Sequence, residues 1–202
     1  PAELRRSFID VLNDEAGLRS NTGDYAAALP IFLQGRDRAL ELQRDDGPTT
    51  PTQMLVARCH TNVGRTLVFL ERLEDSLVEF RLAEAVWRDL IRRDPENGTR
   101  RHYLAVLLAN KGSVERRLRD LDAAERTLTE RLSIMRSLAE QDPLNMDWQR
   151  GLSVAHGGVA LIQQTRGHLT EALENYRRNL AILETLLAGN PANAEWRVGL
   201  AR

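Results

Sequence analysis

Asp142-Pro143-Leu144-Asn145-Met146-Asp147-Trp148 returns as Asn190-Pro191-Ala192-Asn193-Ala194-Glu195-Trp196, and a fainter copy stands at 94–100. The three starts, 94, 142 and 190, are 48 residues apart. A fixed period of this size marks an array of helical repeats, and few other folds can carry it. The same spacing holds elsewhere. A large apolar residue recurs at Tyr25, Leu73, Leu121 and Leu169, and a small one three later at Ala28, Ser76, Ala124 and Ala172. A bulky one follows four beyond that, at Phe32, Phe80, Leu128 and Tyr176. No insertion or deletion interrupts the register.

Each unit reads as two helices, A and B. In the third unit, helix A spans about 99–118 and carries Leu104, Leu107, Leu108, Val114 and Leu118 at helical spacing. Helix B spans about 121–140, with Leu121, Ala124, Leu128, Leu132, Met135 and Leu138 as its apolar stripe. Asp142-Pro143 ends it, because the residue before a proline is pushed out of the helical region. By register the other helices are A1 3–20, B1 25–44, A2 52–70, B2 74–92, A4 145–165 and B4 170–187, and a fifth helix A starts near Asn193. The segment 45–51 is polar and rich in breakers, and is expected to be a longer, mobile loop. Ala16, Gly64, Gly112 and Ala160 share one phase of helix A. Glycine inside a helix costs up to about 1 kcal/mol relative to alanine, so these positions imply close approach of helix B, through Ala28, Ser76, Ala124 or Ala172.

The expected fold is an all-α, right-handed α-solenoid of antiparallel helix pairs. It has four repeats, at about 1–46, 47–94, 95–142 and 143–190, and a partial fifth at 191–202. Stacking buries each pair's apolar stripe, so the array is expected to be one cooperative unit. The chain opens at Pro1 and stops at Arg202 inside a repeat, which suggests a piece of a larger protein.

Composition narrows the function classes. With 28% charged and 42% hydrophobic residues, the chain is a soluble one with a core, not a disordered segment. A net charge of −1 gives no bulk attraction to nucleic acid or an anionic membrane. Cys59 is the single cysteine, so there is no internal disulfide, which suits a reducing, cytoplasmic setting. There is no run of about 18 apolar residues and no basic, apolar leader, so neither a membrane span nor a signal peptide is expected. Lys111 is the only lysine, and the arginine excess points to a GC-rich genome.

Gly64 and Gly112 in helix A, with Gly23-x-Tyr25-x-x-Ala28-x-x-x-Phe32 and Gly167-x-Leu169-x-x-Ala172-x-x-x-Tyr176 across the turn and helix B, resemble the tetratricopeptide repeat. The departure is length. The usual unit is about 34 residues, and the extra 14 or so fit as about two added turns on each helix. This long form resembles tandem repeats of large bacterial multidomain proteins. The resemblance implies that partners bind a concave groove lined by the A helices. The groove positions it implies fall six and three before the small helix-A residue, and one, four and five after it. These are Arg58, Thr61, Arg65, Val68 and Phe69 around Gly64, and Val106, Ala109, Ser113, Arg116 and Arg117 around Gly112. Around Ala160 they are Val154, Gly157, Leu161, Gln164 and Thr165, and around Ala16 they are Asp10, Asn13, Gly17, Ser20 and Asn21. Some family members grip a terminal carboxylate with helix-A lysines and asparagines. Asn62 and Asn110 match one such position, but the lysines are absent.

The candidate partner-binding residues are therefore Arg58, Thr61, Arg65, Phe69, Ser113, Arg116, Arg117 and Gln164. Arginine forks suit carboxylates and phosphates, so an acidic or C-terminal peptide segment is the implied ligand. The rival reading pairs these arginines with local acids such as Glu71 or Glu115.

Catalytic chemistry finds no purchase. Cys59 and His60 are adjacent on a helix and point about 100° apart. His60 also precedes His156 by two periods, which argues for packing or hydrogen bonding. One cysteine and no His-x-x-x-His pair leave no zinc site. Asn110-Lys111-Gly112-Ser113 lies within a helix and lacks the loop of a phosphate cradle. Trp148 and Trp196 recur by period and read as core between repeats. The expected protein has no enzyme activity, metal or cofactor and serves as a protein- or peptide-binding scaffold. The alternative is a spacer or self-association module, using the partial repeat with Trp196, Val198 and Leu200. RNA binding is the weakest reading, given the charge and the few aromatics.

Overall fold

The computed structural model describes residues 2–189. Eight helices run through them: α1 (Ala2–Asn21), α2 (Tyr25–Asp46), α3 (Thr50–Phe69), α4 (Leu73–Arg93), α5 (Gly98–Arg117), α6 (Leu121–Gln141), α7 (Met146–Thr165) and α8 (Leu169–Gly189). The odd helices start at 2, 50, 98 and 146 and the even ones at 25, 73, 121 and 169, every step being 48. The expected fifth helix A, with Trp196, Val198 and Leu200, lies outside the described residues. Among those described there are no strands, and the all-α architecture of helix pairs is what the chain adopts.

The turn from A to B uses one device four times. Gly23, Glu71, Arg119 and Gly167 occupy one phase and have φ of 83°, 60°, 65° and 83°. The next residue's N–H then reaches back to the helix, as in Asp24 N–H to Arg19 O and Asp120 N–H to Glu115 O. This left-handed closure is how a helix end satisfies its orphan carbonyls. Asp24 and Asp120 then cap the B helices by accepting from the Ala27 and Ala123 N–H groups.

The segment expected to be a slightly longer loop is instead short. Helix α2 continues through Asp46 and α3 begins at Thr50, leaving only residues 47–49 between them. Gly47 supplies a φ of 82°, Thr49 caps the Thr52 N–H, and Thr52 Oγ1 donates to Gly47 O at 3.0 Å. Pro51 sits in the first turn of α3, where its missing N–H is no loss. The breakers that read as a longer loop in the string are a helix stop followed by a helix start.

The chain divides into two compact units, residues 1–100 and 101–202. In the first, α1 pairs with α2, α2 with α3 and α3 with α4. Two apolar clusters hold it. One centres on Ile9, Leu42, Val56 and Cys59, and the other on Ala16, Phe32, Val63 and Leu67. In the second unit, α6 packs on α7 and α7 on α8. Its core joins Ala105 of α5 to Leu128, Leu132 and Met135 of α6 and Ala155, Val159 and Ile162 of α7. Trp148 packs against this core, which is the role its period implies.

The helix-A glycines do mark close approach, but to a different residue from the one expected. A Cβ on Gly64 would meet the Phe80 ring at 2.6 Å, and one on Gly112 would meet Leu128 at 2.7 Å. The bulky helix-B residue seats in the glycine notch. The small residue four before it, Ser76 or Ala124, is also fully buried. A notch removes atoms where the opposing side chain is largest, so pairing small with small would leave a gap.

Candidate partner-binding surface

Most of the predicted groove positions line one cavity in each unit. In the first unit a cavity of about 240 Å³ is lined by Arg58 and Arg65 of α3, by Asn13, Gly17 and Ser20 of α1, and by Phe69 at the end of α3. Phe69 is exposed and stacks on Tyr25, with ring centroids 4.2 Å apart and an interplanar angle of 3°. Arg58 lies 3.7 Å from Asp10, a pair exposed enough to contribute little. Arg65 is exposed at the same mouth. Thr61 does not line this cavity, and its hydroxyl donates to Ala57 O on its own helix at 2.8 Å.

In the second unit the cavity is larger, about 490 Å³. Ser113 and Arg116 of α5 form one wall, with Val154, Gly157 and Leu161 of α7 opposite. Arg117 and Gln164 are not among its lining residues, and Gln164 accepts instead from the Tyr176 hydroxyl at 3.0 Å. Glu115 does not pair with a groove arginine either. It lies 3.5 Å from Lys111, one turn back on the same helix.

The floor of this second cavity comes from residues that counting along the A helices passes over. Arg131 of α6 and Asn179 of α8 belong to B helices, and Arg150 and Ser153 to the first half of α7. Arg131 is only 8% exposed. Its Nη1 donates to Val154 O at 3.3 Å and its Nε has no partner. Burial alone pulls its guanidinium down to about 10, with no carboxylate lifting it back. Three arginines line the cavity and no acidic residue does. The sequence signal was present in the register. The phase 35, 83, 131, 179 reads Gly, Ala, Arg, Asn, so a position that is small in the first two copies becomes arginine in the third.

The histidines serve the fold in matching ways. His60 Nδ1 lies 2.6 Å from Glu79, which also accepts from Arg36 at 2.7 Å, so a buried chain ties α2, α3 and α4 together. Two periods on, His156 Nδ1 lies 2.8 Å from Asn175, the register counterpart of Glu79. Cys59 is buried, accepts from Asn13 at 3.6 Å, and has its thiol pushed up by burial, away from nucleophilic chemistry. Among the described residues no group of three or more His, Cys, Asp or Glu is placed to hold a metal ion, and no helix is long and apolar enough to cross a membrane.

No family model matches the sequence, and no curated protein is similar to it. Several solved structures are similar in fold. BtubC from P. vanneervenii superposes with a TM-score of 0.51 at 14% identity, over 90% of this chain and 82% of that one. MamA gives 0.45 at 14% identity, over 84% and 95%. YrrB, described as a TPR protein with an unusual peptide-binding site, gives 0.37 at 18% identity over the whole of both chains. At these identities the likeness to BtubC concerns the fold alone, and the other two superpositions are too loose to add to it.

Proposed function

We propose that this chain is a non-catalytic, tetratricopeptide-like interaction scaffold of the long, 48-residue form, which binds an acidic segment of a partner protein on the face presented by its A helices. One observation carries the reading. Residues picked by groove phase on two successive A helices, Ser113 and Arg116 on α5 and Val154, Gly157 and Leu161 on α7, wall a single cavity with arginines and no acid. Arg58, Arg65 and Phe69 also line a smaller cavity in the first unit, where Asp14 shares the lining. Guanidinium forks select carboxylates in such a setting, and the aliphatic walls give the flanking side chains somewhere to go. The bacterial, cytoplasmic setting belongs to the same proposal. The test is charge reversal. Proteins captured from native lysate by the wild-type chain are expected to be lost with Arg65→Glu and Arg116→Glu. An unchanged set, with the helical spectrum intact, would show that binding occurs elsewhere.

A second reading, self-association, is favoured by the outer face of α1. Leu4, Phe8, Val11 and Leu18 are exposed there, Leu4 by 68%. Their counterparts one, two and three periods on include Val56, Cys59, Leu104, Leu107, Val114 and Ile162, all buried. On α8, Leu173, Tyr176 and Leu180 are exposed, whereas Leu77, Phe80, Leu128 and Leu132 at those phases are buried. In this reading the apolar face of α8 in a second copy covers that of α1.

A further inference from the structure

The two units solve the same packing problem in opposite ways. In the first, Asn13 of α1 and Asn62 of α3 meet over Gly35 of α2. Asn62 Nδ2 donates to Asn13 Oδ1 at 3.0 Å, and a Cβ on Gly35 would stand 3.6 Å from Asn13 Nδ2. Asn13 is further anchored, since it donates to Ile9 O at 2.8 Å. Two periods later Asn13 becomes Ala109, Asn62 becomes Gly158 and Gly35 becomes Arg131. The two amides that fill the space are gone, and a guanidinium rises from helix B into the space they leave. Ala109, Gly158 and Arg131 all line the 490 Å³ cavity. A Cβ on Gly158 would sit 3.6 Å from Arg131 Nη1, so any larger side chain there would project over the guanidinium.

A guanidinium has five donors and no acceptor. Arg131 spends one donor on Val154 O, and its buried Nε–H has none to meet. The polar neighbours Ser153 and Asn179 are hydrogen-bonded to each other. A buried cation with no counter-charge is a liability for folding and is retained where a ligand supplies the missing partner.

We infer that Arg131 is the floor of a carboxylate-binding subsite, which receives one carboxylate of a partner peptide while Leu128, Val154 and Leu161 hold the aliphatic side chains beside it. This rests on the proposal that partner segments bind this face. Planar carboxylate matches the guanidinium fork with two parallel N–H···O bonds, and one negative charge balances the one positive charge at this depth.

The test titrates three peptides into the full, isotope-labelled 202-residue chain and follows the Gly157 and Gly158 amides and the Arg131 Nε–H by NMR. The peptides are Ac-Ala-Leu-Glu-Leu-Ala-NH2, Ac-Ala-Leu-Leu-Ala-OH and, lacking any carboxylate, Ac-Ala-Leu-Gln-Leu-Ala-NH2. At least one carboxylate peptide is expected to bind tenfold or more tightly than the glutamine peptide, and which one does so tells a side-chain carboxylate from a chain terminus. Arg131→Met is expected to abolish the preference while raising the thermal midpoint of the free chain. Gly158→Asn, which restores the residue at Asn62's phase, is expected to weaken binding with Arg131 still present. Equal binding of the glutamine peptide, binding of none of the three, or a preference that survives Arg131→Met overturns the subsite. Equal binding that still moves Gly157 and Gly158 leaves the groove proposal standing. Failure of all three peptides, together with lysate capture unchanged by Arg116→Glu, removes both.

Discussion

Gly64 and Gly158 look alike in the string, but their surroundings differ. Gly64 has the Phe80 ring where its Cβ would be, and Phe80 is wholly buried. Gly64→Ala is therefore expected to cost about 1–3 kcal/mol, as an overpacked core does. Gly158 has ordinary contact distances around it, so Gly158→Ala is expected to be neutral or to stabilise by up to about 1 kcal/mol. Urea denaturation of the two variants beside wild type checks both. His156 gives a pH dependence. Burial lowers its pKa below the ordinary 6.5, the Asn175 contact opposes this, and Arg136 and Arg178 add to it. The unfolded chain therefore takes up the proton first, so stability is lost as pH falls through 6.5 towards the depressed folded value and is fully present above. His156→Gln should flatten the thermal midpoint between pH 7 and 5.5, and an unchanged slope would show that the titrating group lies elsewhere.

At the scale of helices and turns, the period placed every described helix to within about two residues, because caps, turn residues and apolar stripes all repeat with it. Where elements were misjudged, the reason was local. Gly47, Thr49 and Pro51 are breakers in composition but a helix stop and start in geometry. The helix-A walls of the cavities were legible from the same register, in Arg58, Arg65, Ser113 and Arg116. Arg131 was not, because counting along A helices never visits helix B, and only comparison across the four copies reveals it as out of place. Thr61, Arg117 and Gln164 share the phase but line neither cavity. Thr61 bonds to its own helix and Gln164 to the Tyr176 hydroxyl. The shared A-to-B turn carries a prediction of its own. Arg119 holds a φ of 65° where two of its counterparts are glycine. A non-glycine residue there costs about 1–2 kcal/mol, so Arg119→Gly is expected to raise stability by about 1 kcal/mol, read as a shifted urea midpoint at constant slope.

For the whole molecule, the exposed faces of α1 and α8 and the cavities of the two units make separate claims. If α8 of one copy covers α1 of another, light scattering should show the average mass rising with concentration, and Phe8→Glu with Val11→Glu should return it to that of the monomer. A strict monomer at high concentration would remove self-association and leave the scaffold proposal untouched. The claim that a partner lies along the A-helix face is tested most directly by a photo-crosslinker placed at Ser113, at Leu161 or at the exposed Arg136 of α6 in native lysate. A partner on that face yields one shared band from Ser113 and Leu161, mapping to an acidic segment, and none from Arg136. Crosslinks from Arg136 alone, or the same band from all three positions, would contradict it.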